Sequence, residues 1–419
     1  MAKKGQPSKA LGLGITASIF GGLFSWVALY LIAPQLTKIA LKFGEFEFFA
    51  LVFFALTLVS VLLQGQPLKG LIAMLLALLL TTVGASPVDG ARRFTFGIYQ
   101  LDGGFDFLIV IIGAFALSEI FASAGRLNEN LSAIKPNFRD GILPKPTLII
   151  KNLWNMVRSS IIGTFIGIMP GLGGAPAALM AYAQAKKSSK HPEQFGQGIP
   201  EGILAVESAN NAVTGGALIP MLTLGIPGDP STALLMAGFM IQGVDVGPLL
   251  FTEKPDMVNS IMSSVLVANI IMFVIMMVAI RFFVMVLRVP KSYLLPYIIV
   301  FCTIGAFSIG NQMFDVYAML AFGILGYILE KNDYPLAPFT LAFLLGNLFE
   351  HNFRRTQMNR GSILEALMTP SIGSVIFVLA IVLPIVTMLL DRKKKLRAMN
   401  SEDLGAAEEV ISGNTRKED

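Results

Sequence analysis

The sequence predicts an all-α integral membrane protein, and three observations predict it. Hydrophobic residues fill 54% of the 419 positions and charged residues only 14%, too few charges to cover a soluble protein of this size. The mean hydropathy is +0.69. The apolar residues are gathered into charge-free stretches at 10–37, 48–68, 70–88, 159–185, 257–280, 292–314, 334–349 and 366–390. About 20 apolar residues cross a bilayer core, so several of these suffice alone. With the shorter stretches included, about 10–12 membrane segments are expected, some of them broken or re-entrant, in a transporter-like fold with an inverted or internal repeat.

The elements follow in order. A basic start, with Lys3, Lys4 and Lys9, leads into an apolar run that reaches Leu36 without a small-residue cleavage site, so a retained first span is expected. Lys38, Lys42, Glu45 and Glu47 mark a polar break. Spans at 48–64 and 68–84 are joined around QGQP, a turn composition. Residues 86–97 read as a loop, Phe107 to Phe121 as a further segment, and 122–150 as a long polar connection. Spans are expected at 258–280, 292–310, 316–329, 334–349 and 371–390, with Arg354, Arg355 and Arg360 in the loop before the last one. The basic run after Leu390 favours a cytoplasmic C-terminus, and the polar tail from Ala398 is expected to be disordered. The chain divides on this reading into 1–145, the remainder of a first transporter half, 146–390, a second half with both Gly/Pro-rich segments, and 391–419, a basic juxtamembrane segment and tail. Segment lengths in 8–84 and 259–329 run in a similar order, a pattern compatible with an internal repeat.

Two stretches stand apart, GTFIGIMPGLGGAP at 163–176 and ESANNAVTGGALIPMLTLGIPGDPST at 207–232. Glycine and proline clustered beside Asn, Thr, Glu and Asp predict two interruptions of the helical ladder, which membrane proteins tolerate where protein or a polar cavity satisfies the backbone. The first is expected as a half-helix, an unwound turn and a second half-helix. Such breaks form substrate and ion sites in secondary transporters. Helix N-termini there would offer free amides and the positive end of the dipole to an anion. Pro170, Gly171, Gly173, Gly174, Gly225, Pro227 and Gly228 are the candidate backbone of the site. Asn210, Asn211, Thr223, Ser231 and Thr232 are candidate side-chain contacts. Glu207 and Asp229 are candidate partners of a sodium ion or proton, since a lone charge in hydrocarbon needs a cavity, an ion or a partner; either acid could instead cap a helix. Glu119 and Asp315 are weaker candidates. Gly163 and Gly167 form a GxxxG pair better suited to helix packing.

Other functions fit less well. The formal charge of +5 lies largely in patches near helix ends, which suits anionic headgroups and not nucleic acid. Cys302 is the single cysteine, and His191 and His351 fall in polar linkers, so neither a metal cluster nor a nucleophile with its base is legible. No enzyme activity and no cofactor are expected.

The quoted stretches resemble the large membrane subunit of the tripartite tricarboxylate transporter family, TctA. KHPEQFGQGIPEGILAVESANNAVTGGALIPMLTLGIPGDPSTALL at 190–235, FALSE at 115–119, LLFTEKPD at 249–256 and FDVYAMLAFGILGYIL at 314–329 carry the same resemblance, which covers residues 1 to about 390. It implies a multi-pass protein of a bacterial inner membrane that moves citrate-like tricarboxylates or related carboxylates on a sodium or proton gradient. Its implied partners are a small membrane subunit and an extracytoplasmic solute-binding protein, with a homo-oligomer as a further option. It places binding-site backbone at Pro170, Gly171, Gly173, Pro227 and Gly228. Family members carry an additional N-terminal region with a first PG motif and a first IPG segment. The chain starts inside that pattern, so a non-transporting scaffold subunit or a truncated, inactive permease fragment is the alternative expectation.

Overall fold

A computed structural model describes residues 1, 6–62, 67–124, 143–170, 172–286 and 291–386. Gly171, the basic run after Leu390 and the tail from Ala398 lie outside the described residues, as does most of the 122–150 connection. The described chain is helical apart from one two-stranded ladder. Four helices are long and apolar enough to cross a membrane (Ser8–Ala40, Pro255–Ile280, Ser292–Gly310 and Met313–Lys331), and four shorter ones are also apolar. This is a multi-pass membrane protein.

The first helix, α1 (Pro7–Ala40), ends where the polar break was expected, and α2 (Glu45–Leu62) and α3 (Pro67–Thr81) follow. The loop after α3 holds strands β1 (Gly84–Ala85) and β2 (Arg92–Arg93), paired antiparallel with Gly84 opposite Arg93. Next come α4 (Phe107–Ile111), a π-helical turn (Ile112–Leu117) and α5 (Ser118–Ala124), one continuous apolar segment. The wider turn brings Gly113 against the backbone of Met319, the kind of local widening a close helix contact requires. Then α6 (Pro146–Lys151) leads to α7 (Leu153–Ile168), α8 (Gly174–Ser188), α9 (Pro200–Leu224) and α10 (Pro230–Ile241). The chain continues through α11 (Pro248–Glu253), α12 (Pro255–Val286), α13 (Lys291–Gly310), α14 (Met313–Lys331), α15 (Leu336–Arg360) and α16 (Ile363–Met368). The last described helix is α17 (Ile372–Val386).

The centre of the molecule is α9. Its residues from Gly215 to Thr223 are all buried. Small residues allow α1 to lie along one side of it and α7 along another. A Cβ on Gly21 of α1 would run into the Ser208 carbonyl, and one on Gly163 of α7 into the Ala209 carbonyl. In return, Gly215 and Gly216 of α9 lie against the backbones of Ser25 and Thr164. The GxxxG pair therefore packs helices, as its spacing predicts. Crossing hydrogen bonds fix the register: Ser208 Oγ donates to the Ala17 carbonyl (3.3 Å) and the Gly215 amide to Ser25 Oγ (3.3 Å). Leu29 and Ala33 of α1, Leu218 and Leu222 of α9, and Val244 and Leu250 form one core beside it. A second core joins α2, α3, α4, α14 and α15 around Phe339 and Phe322.

One expectation is corrected. The span 334–349 was expected to be short, with His351, Arg354, Arg355 and Arg360 in linkers. Instead α15 runs on to Arg360, with Gly361 (φ +75°) beyond its end. Neither glycine nor proline interrupts it after Gly346, and Glu350 and Arg354 are paired. Glu350 accepts two hydrogen bonds from Arg93 (2.6 and 3.0 Å) and pairs with Arg354 one turn on (2.9 Å), while Arg354 reaches Asp89 (3.3 Å). These pairs tie the 84–93 hairpin to α15. The Glu350 hydrogen bonds push Arg93 above its ordinary value, so the guanidinium stays charged. The Ser86 hydroxyl and the Ala91 amide hold Asp89 below the ordinary 3.8. A lowered carboxylate contributes its stability above its unfolded value and loses it as pH falls through the folded one. The Asp89 turn should therefore keep its hydrogen bonds at neutral pH and lose them only below about pH 4.

A bidentate, partly buried pair of this kind contributes about 1–3 kcal/mol. Arg93→Ala is expected to lose roughly that much stability and to speed hydrogen exchange of the 84–93 amides. Unchanged exchange in Arg93→Ala would show that the hairpin is held by other contacts.

Candidate functional site

Both expected interruptions are present. In the first, α7 ends at Ile168 and α8 begins at Gly174. Arg158, near the start of α7, donates to Ser188 at the end of α8 (2.7 Å), so the pair is a hairpin with the interruption at its tip. Each arm, at 16 and 15 residues, is about 24 Å long, shorter than the roughly 30 Å hydrocarbon core. Pro170 is half-buried at that tip. Gly173 adopts φ +66°, and a Cβ there would meet nothing within 4 Å, so its backbone borders open space. The N-terminus of α8 has no side-chain cap. Pro176 has no N–H, which leaves the amides of Gly174 and Ala175 as its free donors.

The second interruption is narrower than the motif. Residues 207–224 are continuous helix, through Gly215, Gly216 and Pro220, because the flanking helices enclose that stretch. The break falls at Gly225–Asp229. Gly225 closes α9 in the left-handed region (φ +69°), its amide donating to Met221 and that of Ile226 to Pro220. The chain then turns back along α9. Ile226 plugs the core beside Val52 and Phe339, and Pro227 and Gly228 are buried. Asp229 caps α10: its carboxylate accepts from the Thr232 amide (2.7 Å), and the Thr232 hydroxyl accepts from the Asp229 amide (3.0 Å). Ser231, in the first turn, is exposed.

The two breaks meet. A Cβ on Gly228 would strike the Gly167 carbonyl, at the end of α7, and the Ala217 Cα of α9 at 2.6 Å. Gly167 itself lies on Val213 and Ala217. Two turns earlier on α9, Asn210 sits against Gly174, the first residue of α8. The start of α8, the end of α7 and the segment before α10 thus share one face of α9 within about 10 Å along its axis. Asn210 and Thr214 on that helix are exposed and not packed away.

The remaining candidates divide. Asn211 donates to Ser18 Oγ on α1 (2.8 Å) and to the Glu207 carbonyl (3.2 Å). Ser18 also hydrogen-bonds the half-buried Glu207 carboxylate. Glu207, Asn211 and Ser18 are therefore one polar cluster between α1 and α9. Ser18 was not singled out in the sequence, although Gly14, Ser18, Gly21 and Ser25 recur on one helical face. Thr223 is fully buried with its hydroxyl bonded to Ile219 (2.7 Å) in its own helix. Glu119 accepts from Ser123 (2.9 Å), and Asp315 is buried beside Gln312, both away from the breaks. Among the described residues, no three His, Cys, Asp or Glu residues are placed to hold a metal.

The comparisons point the same way as these stretches. Residues 1–341 match the family described as the Tripartite tricarboxylate transporter TctA family. A protein of Agrobacterium vitis, named an uncharacterized 52.8 kDa protein in the TAR-I ttuC' 3'region, is 35% identical over 390 residues, covering 90% of this chain and 75% of that protein. A second, named an uncharacterized protein in the TAR-II ttuC' 3'region of the same organism, is 36% identical over 241 residues, covering 58% of this chain and all of that protein. No solved structure matches.

Proposed function

The chain belongs to the tripartite tricarboxylate transporter TctA family, as a large transmembrane subunit, and from that premise we propose that its carboxylate substrate is held where the two interruptions meet on α9. The observation that carries this reading is the uncapped start of α8 at Gly173 and Gly174, bordering open space beside the exposed Asn210. Free amides at a helix N-terminus suit a carboxylate, and the Asn210 amide adds a donor. The start of α10 plays a different part. Asp229 and Thr232 cap that end from within, so it offers its donors less freely than the start of α8 does.

Glu207, one turn before Asn210, supplies a second carboxylate on the same helix, with Ser18 and Asn211 as its neighbours. Binding a sodium ion or proton there would relieve repulsion of the substrate and couple the two. A small membrane subunit and an extracytoplasmic solute-binding protein complete the system. The α7–α8 hairpin is the re-entrant element, entering and leaving on one side.

The test is uptake of labelled citrate and of smaller carboxylates by vesicles holding the protein with both partners, under imposed sodium or proton gradients. Gradient-stimulated, saturable uptake is expected; uptake indifferent to both gradients would remove the coupling. Asn210→Ala should raise the KM for the carboxylate by about tenfold, the worth of one hydrogen bond to a charged group, with folded yield unchanged because the side chain is exposed. An unchanged KM would take Asn210 out of the site.

A further inference from the structure

A separate cavity lies elsewhere, and the position of the two faces gives it a role. It encloses about 860 Å³ among the end of α3, the 83–106 loop, the start of α4, the second half of α10, the loop before α11 and α15. Its floor includes Leu224, the last residue of α9, and Gly225, the first residue of the second interruption. It therefore opens on the face where α9 ends, directly above the break.

That face can be assigned. Side-chain contacts sort the helix ends into two sets. Asn359 at the end of α15 meets Glu45 at the start of α2 (3.4 Å), and the 84–93 hairpin meets α15, on the cavity face. Lys69 at the start of α3 meets Asn332 after α14 (2.7 Å), and Asn155 of α7 meets Glu201 of α9 (3.0 Å), on the opposite face. Of the described Lys and Arg, eight belong to the cavity face, beside eleven Asp and Glu. The other eleven described Lys and Arg lie at helix ends or connections of the opposite face, from Lys9, Lys145 and Lys151 to Lys186, Lys187 and Lys190. Such an excess marks the cytoplasmic side.

We propose that the cavity is the extracytoplasmic vestibule through which the carboxylate passes from outside to the second interruption, an inference that rests on the carboxylate-transport reading above. Its chemistry suits passage and not retention. Asp106, Asp245 and His351 line it, and neither Lys nor Arg does, so an anion entering with its cations is not trapped there. Asn347, Thr81 and the backbone of Gly103, Gly104 and Gly247 supply neutral polar contacts, and Met236, Met240 and Phe343 the apolar wall.

The experiment places a single cysteine at Met240, an exposed cavity residue, in a Cys302→Ala background of the full chain with its partner subunits. Lys187→Cys, exposed at the end of α8, reports the opposite face. A membrane-impermeant maleimide is applied to right-side-out and inverted vesicles, with and without citrate, succinate or acetate. The expected result is Met240→Cys labelled from outside only, Lys187→Cys from inside only, and at least one carboxylate slowing the Met240→Cys reaction several-fold. Labelling of Met240→Cys only in inverted vesicles overturns the orientation, and outside labelling that no carboxylate slows overturns the vestibule. Uptake measured on the same vesicles separates these outcomes from failure of the transport reading, because sidedness is read without uptake.

Discussion

Gly228→Val is expected to abolish carboxylate uptake. The position leaves no room for a side chain, since a Cβ would meet the Gly167 carbonyl and sit 2.6 Å from the Ala217 Cα and Cβ. Those atoms are backbone and a short side chain on two different helices, and neither can rotate aside. The valine would have to push the segment before α10 away from both α7 and α9. Overpacking of this kind costs roughly 2–3 kcal/mol, enough to lower the population of the assembled site about 30-fold or more. The rest of the chain need not unfold, because Ile226 alone of that segment enters the core around Phe339 and Phe322. Uptake normalised to folded protein should therefore fall by more than tenfold while membrane insertion persists. The control is Gly305→Ala, on α13, where a Cβ meets nothing within 4 Å and the backbone carries no left-handed strain. Normal uptake in Gly228→Val would show that contact between the two breaks is dispensable.

Gly163→Val should act earlier, on the folded protein itself. Its Cβ would enter the Ala209 carbonyl and approach the Ala209 Cα at 2.8 Å, in the middle of the α7–α9 contact. Helices in a membrane associate by such close packing, with little hydrophobic drive to hold them once they are separated. Separating α7 from α9 would also pull away the arm that carries the α8 hairpin. The expected result is a several-fold lower yield of monodisperse protein and a melting temperature lowered by several degrees, as a loss of about 1–3 kcal/mol implies. Yield and melting equal to those of the parent would contradict the packing described for this interface.

The two positions also show what could be read beforehand. Both interruptions were legible, because proline and glycine clustered beside polar residues have few other uses in a membrane chain. The capping of α10 was only half legible: a cap stood as an alternative for Asp229, and its pairing with Thr232 three residues on was not read. The meeting of Gly228 with Gly167 was not legible. It depends on the register of α1 and α7 along α9, set by carbonyl contacts of Ser208, Ala209 and Thr164 that no spacing rule encodes. The length of α15 was misread because Glu350, Arg354 and Arg360 look like loop residues until the hairpin that pairs with Glu350 is in place. The same hairpin was read as plain loop, since a ladder of two residues per strand leaves almost no alternation to detect. Ser18 went unnoticed because a serine among the glycines of α1 looks like packing until Asn211 is seen to face it.

The measurement closest to the central claim is a structure of the membrane complex with its carboxylate bound. The account predicts density for the anion against the amides of Gly174 and Ala175, within hydrogen-bond distance of Asn210, with the Gly228 segment still on Ala217. Density confined to the 860 Å³ cavity, or a carboxylate held far from α8 with that helix start buried against protein, would contradict it.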